Sequence, residues 1–177
     1  MADPNHLPVP GTQHPAKIDQ NSNFVFADML PGKYYLDVLA GGLYVDSIRP
    51  GNADVLADGL SVGTAPPPEV EIILRSGGGS ITGTIEGLSG TMPATVLLVR
   101  QTGASGIPIE VQAFGGRFTA NNLPPGDYSL YAWPLGRQIE YLNPQVLANL
   151  GVPPLQVTLR EGGNESVTVK TIPGDAQ

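Results

Sequence analysis

Two stretches of this 177-residue chain, 94 positions apart, carry the same succession of residue types. Phe24-Val25-Phe26-Ala27-Asp28-Met29-Leu30-Pro31-Gly32-Lys33-Tyr34-Tyr35-Leu36 lies over Phe118-Thr119-Ala120-Asn121-Asn122-Leu123-Pro124-Pro125-Gly126-Asp127-Tyr128-Ser129-Leu130. Phe24 falls on Phe118, Pro31 on Pro125, Gly32 on Gly126 and Tyr34 on Tyr128. Glu69–Leu74 echoes Glu165–Lys170 near the end of each copy. A repeat at domain-sized spacing means that one supersecondary design is used twice. The expected organisation is a Pro-rich arm (1–12), a first unit (13–76) and a second unit (79–174), meeting at Ser76-Gly77-Gly78-Gly79. So short a glycine run should keep the units close together.

The second copy reads as strands throughout. Ser80–Glu86 alternates, with Ile81 and Ile85 on one face, and Thr95–Arg100 is rich in β-branched residues. Ile107–Ala113, Arg117–Ala120, Asp127–Trp133, Leu155–Leu159 and Ser166–Ile172 complete seven short strands, the pattern of a β-sandwich. The chain's 23 Gly and 18 Pro stand between these runs as turn residues and exclude a helical fold. One helix is expected over Asn143–Leu150: Asn143 suits the N-cap, Pro144 the first turn and Gly151 the position past the end. Its stripe of Val146, Leu147 and Leu150 should plug an open end of the sandwich.

The first copy is shorter. Phe24 lies 23 residues from the start, whereas Phe118 lies 39 beyond Gly79. Nothing in the first copy can correspond to Ser80–Glu86 and Thr95–Arg100; Met1–Thr12, with three prolines, stands in their place. What remains is a hairpin around Asn21, a long strand Lys33–Ala40 and a closing strand Glu69–Leu74. A sandwich short of two strands exposes apolar faces and open edges. The Pro-rich arm itself, the second unit or a strand from another chain should cover the gap. The expected filler is an extended segment of a neighbouring copy, with Met1–Thr12 and Thr171–Gln177 as candidate donors.

Gly116-Arg117-Phe118 followed by Leu123-Pro124-Pro125-Gly126-Asp127-Tyr128 resembles the carboxypeptidase regulatory-like domains, the transthyretin-like or Cna-B-type sandwiches. Asp19-Gln20-Asn21-Ser22-Asn23-Phe24 is similar to the same turn, with Ser22 in place of the usual Gly. Tyr131-Ala132-Trp133, Glu140-Tyr141 and Asn143-Pro144 resemble a subtype found in tandem in large secreted bacterial proteins of acidobacterial type. The resemblance implies an all-β chain of two tandem Ig-like or transthyretin-like sandwiches, the first lacking its first strands and the second holding one short helix. It also implies an extracellular or cell-surface location, although Met-Ala-Asp-Pro-Asn-His at the start has no signal-peptide character. Tyr34 and Tyr128 are expected to bond back to backbone, as in tyrosine corners.

Little chemistry is on offer. With no cysteine, disulfides and thiolate chemistry are excluded. A net charge of −7 with scattered basic residues argues against nucleic acid, and no apolar run is long enough to span a membrane. His6 and His14 are the only histidines, so the second copy cannot build a Ser-His-acid triad. Neither a cofactor nor a metal site is expected. Asp19, Asn21 and Asn23 have calcium-loop spacing without its closing Glu, and a turn bonded to its own backbone explains them equally. The lysines, Lys17, Lys33 and Lys170, do not fall on Ser80–Glu86, which argues against an isopeptide crosslink there. Glu110, Glu140, Glu161 and Glu165 should be solvated.

Tyr131, Trp133 and Tyr141 are the candidate ligand-binding residues: flat aromatics either stack on sugars or pack beneath the helix. The expectation is therefore a non-enzymatic structural or assembly module, a filament subunit joined by strand complementation. Its alternative is a carbohydrate-binding accessory module with a polysaccharide partner.

Overall fold

The structure is a computed structural model describing residues 16–36, 38, 41–65, 69–88, 92–101 and 108–172. It is an all-β chain with a single short helix among the described residues.

In the second repeat, seven strands form two sheets. They are β5 (Gly79–Glu86), β6 (Ala94–Arg100), β7 (Ile109–Ala113), β8 (Arg117–Leu123), β9 (Gly126–Pro134), β10 (Leu155–Leu159) and β11 (Asn164–Lys170). One sheet has the order β10-β9-β6-β7 and the other β11-β5-β8. All pairs are antiparallel except β11 with β5, which run parallel over Asn164–Lys170. The sheets close on Ile81, Phe118 and Val169 from one side and Val96, Leu98, Tyr128 and Leu130 from the other, all at most 4% exposed. Period-two side-chain alternation sends these residues inward. All seven expected strands are present with shifted ends: β8 runs three residues past the expected Ala120, β11 stops at Lys170 short of the expected Ile172, and Ile107 lies outside the described residues.

The helix, α1 (Pro144–Ala148), begins as expected: Gln145 N–H donates to Asn143 Oδ1 at 3.0 Å. Its expected place, over an open end of the sandwich, was wrong. It covers the outer face of the four-stranded sheet, where Leu147 packs with Leu97, Trp133 and Ile172. The cause lies in β6, which buries five consecutive residues, Ala94–Leu98. A strand apolar on both faces needs a cover on each.

The first repeat holds two small ladders. β1 (Gly32–Tyr34) pairs with β3 (Leu60–Val62), and β2 (Tyr44–Pro50) pairs with β4 (Val70–Arg75), both antiparallel. The β1–β3 register, Lys33 opposite Ser61, is the counterpart of Asp127 opposite Thr158 in β9–β10. The long strand expected over Lys33–Ala40 is shorter: Tyr35 and Leu36 lie outside it, while Asp37, Leu39 and Ala40 are outside the described residues. Where β11 pairs with β5, its counterpart β4 pairs instead with β2, a strand that the sequence reading missed.

The junction is packed. Gly162 N–H donates to Gly77 O at 2.8 Å, and the Asn122 side chain donates to Leu43 O, tying the repeats together. A Cβ on Gly79 would come within 2.6 Å of Gly163 O, so only glycine fits that approach.

Candidate functional site

The repeated turn and corner are preserved down to backbone conformation. Ser22 has φ 65° where Gly116 has 70°, and Asp28 has φ 54° where Asn122 has 57°. The Tyr34 hydroxyl donates to Leu30 O at 2.8 Å, and the Tyr128 hydroxyl donates to Pro124 O at 2.6 Å. Both span four residues, so the tyrosine-corner expectation holds in each copy.

At the turn, Asp19 Oδ1 accepts from the backbone N–H of Asn21 and of Asn23, each at 2.8 Å. The bond from the Asn23 backbone is the main cause that lowers the Asp19 carboxyl below its ordinary pKa. The carboxylate is thus committed to closing an Asx turn. Ser22 pays the conformational cost that glycine avoids. Ser22→Gly should raise stability by up to about 1 kcal/mol, read as a higher melting temperature. An unchanged or lower melting temperature would show that the Ser22 side chain offsets its own strain.

Burial pushes the Tyr128 phenol up to about 12. An unfolded tyrosine titrates near 10, so above that pH the unfolded chain ionises first. The stabilisation is complete below about pH 10 and is lost as pH rises through about 12. Tyr128→Phe should cost about 1 kcal/mol at neutral pH and flatten this alkaline loss. Tyr131→Phe should cost less, because no corner bond depends on its hydroxyl. Equal denaturation midpoints for the two variants at neutral pH would refute the corner's energetic role.

Tyr131, Trp133 and Tyr141 do come together, but beneath α1. Trp133 is 2% exposed, and its ring centroid lies 6.5 Å from that of Tyr141. Burial is the main cause raising the Tyr141 phenol above its ordinary value, and a hydrogen bond with Glu110 adds to it. Glu110 also accepts from Gln112 Nε2 at 3.2 Å, so this carboxylate is not simply solvated. Stacking on a sugar needs an open ring face. Of the two expected roles for Trp133, sugar stacking or packing beneath the helix, the geometry is that of packing: the outward Leu97 of β6 draws the indole and α1 down onto the sheet.

The second candidate is the gap in the first repeat. Residues 23–30 follow the turn as β8 does in the second repeat, yet they join no ladder among the described residues. Phe118 lies opposite Gly83 of β5, with its ring over that glycine. Among the described residues Phe24 has no such strand beneath it, and it meets Phe26 edge-on, at 5.6 Å and 69°. Beside this segment opens a groove of about 1020 Å³, whose apolar lining includes Phe24, Phe26, Leu36, Leu60, Val62 and Ile72. Val25 and Leu30 are 77% and 72% exposed. Of the candidate donors, Thr171 and Ile172 are held within their own chain, donating backbone N–H to Glu86 O and Ala132 O. Met1–Thr12 and the rest of the C-terminal candidate, 173–177, lie outside the described residues.

These features define a β-sandwich protein. No protein-family model matches the chain, and no curated protein matches it. Among solved structures, it is similar to the major pilin subunit of Bacillus cereus at 18% identity and a TM-score of 0.30. That alignment takes in 60% of this chain and 32% of the pilin subunit.

Proposed function

We propose that this chain is a non-enzymatic, extracellular structural module of a bacterial surface protein, of the carboxypeptidase regulatory-like type. In this reading its two repeats are successive sandwich modules, and copies associate through the unfinished first one. The carrying observation is the segment 23–30, which keeps the turn and corner of a sandwich strand but pairs with no strand among the described residues. Large side chains left facing water cost about 1.5–3 kcal/mol each, and a neighbour filling the groove recovers that energy. The test is the mass of the purified protein across a concentration series by light scattering, with electron-microscopic imaging. Growth of mass with concentration supports the reading. A monodisperse single copy throughout overturns the assembly role and leaves a spacer.

A further inference from the structure

Building on that assembly reading, we propose that the groove of the first repeat receives the far end of the second repeat from a neighbouring copy. Three large apolar residues of the second repeat are exposed: Phe114 at 70%, and Met92 and Leu135 at 49% each. They are scattered in sequence, but the sheet brings them to one edge. Ala94 of β6 lies between Ala113 of β7 and Pro134 of β9. The residues just beyond these leave the sheet together, and Leu135 N–H donates to Pro93 O at 2.9 Å. Phe114 begins the hairpin turn Phe114-Gly115-Gly116, bridged to Arg117, and forms a projecting tip.

The remaining exposed large hydrophobics among the described residues, Ile18, Val25, Leu30 and Tyr35, all belong to the first repeat. Strand direction places the two surfaces at opposite ends. β5 leaves the junction at Gly79 and reaches the tip where Thr84 pairs with Arg117. β4 ends at the junction with Arg75, whereas the groove takes in its opposite end, Val70–Ile72. A projecting surface at one end and a concave one at the other give a head-to-tail contact that does not close on itself.

Charge selects this pairing over like-with-like. Arg117 flanks Phe114 at the tip, and the charged residues of the groove are Glu69, Glu71 and Arg49. Tip against tip would set Arg117 beside Arg117, whereas tip in groove sets it near an acidic excess. The N-terminal arm is the poorer occupant, because Pro4, Pro8 and Pro10 have no N–H to give to a ladder.

The experiment uses three variants of the full chain: Phe114→Arg, Val25→Arg and deletion of residues 1–12. Both point substitutions fall on exposed side chains, so their melting temperatures should match the parent. Each should reduce the assembly to a single copy of 18.5 kDa. Mixed in equal amounts, they should give a species of twice that mass and no larger, because one partner keeps an intact tip and the other an intact groove. The deletion should leave assembly unchanged. Undiminished assembly by Phe114→Arg, or loss of assembly on deleting the arm, overturns the tip-in-groove contact while the assembly reading stands. A parent protein that stays a single copy at every concentration overturns both.

Discussion

Replacing Trp133 by Ala should cost the second repeat about 3–5 kcal/mol of stability. The indole is 2% exposed and fills the space between Leu97, Leu147 and Ile172. Its removal leaves a cavity on the outer face of the sheet and takes away the main support of α1. A helix of five residues has no stability of its own, so it should leave the sheet along with the indole. Two measurements check this. Thermal melts followed by circular dichroism should show a large fall in midpoint for Trp133→Ala and a smaller one for Trp133→Phe. In the parent, the single Trp should emit like a buried indole until the second repeat unfolds. A well-folded Trp133→Ala with an unchanged midpoint would show that the ring contributes little packing, and would reopen a ligand-binding role for it.

Gly83→Ala should be nearly as damaging. Gly83 is in the central strand of the three-stranded sheet, opposite Val167 on one side and Phe118 on the other. An added Cβ would lie 2.6 Å from Val167 O and 2.6 Å from Phe118 Cε1. The ring can move only into a packed core, and the carbonyl can move only by breaking the parallel ladder. The expected loss is about 3 kcal/mol, the upper end of overpacking costs. Phe118→Leu in the Gly83→Ala background should recover part of it, because it removes one of the two clashes. Additive effects in the denaturation midpoints would show that ring and methyl do not meet. Phe24→Leu should be mild by comparison, since among the described residues no glycine strand runs beneath Phe24.

Much of this was legible in the sequence. Alternation exposed the strands of the second repeat, and Asn143, Pro144 and Gly151 marked the helix, because each signal is local. The corner at Tyr34 and Tyr128 was legible because the same short string fixes it twice. β2 was not: Asp46 and Ser47 interrupt its apolar run at a bulge, and Pro50 ends it. The side of the sheet that α1 covers was also hidden, since it depends on both faces of β6 being apolar and not on the helix. Phe114, Met92 and Leu135 could not be grouped in advance, because strand register alone makes them neighbours.

The parallel pairing of β5 and β11 also has a mechanical consequence. β5 takes up the chain at the junction, and β11 releases it at the opposite end, beyond Lys170. A pull along the chain therefore drags the two strands past each other lengthwise. Their seven paired positions, Ser80–Glu86 against Asn164–Lys170, share the load and must yield together. A hairpin pulled from its open end gives way one rung at a time; this arrangement resists like a lap joint in shear. A module so connected can carry tension between its two ends while keeping its core closed.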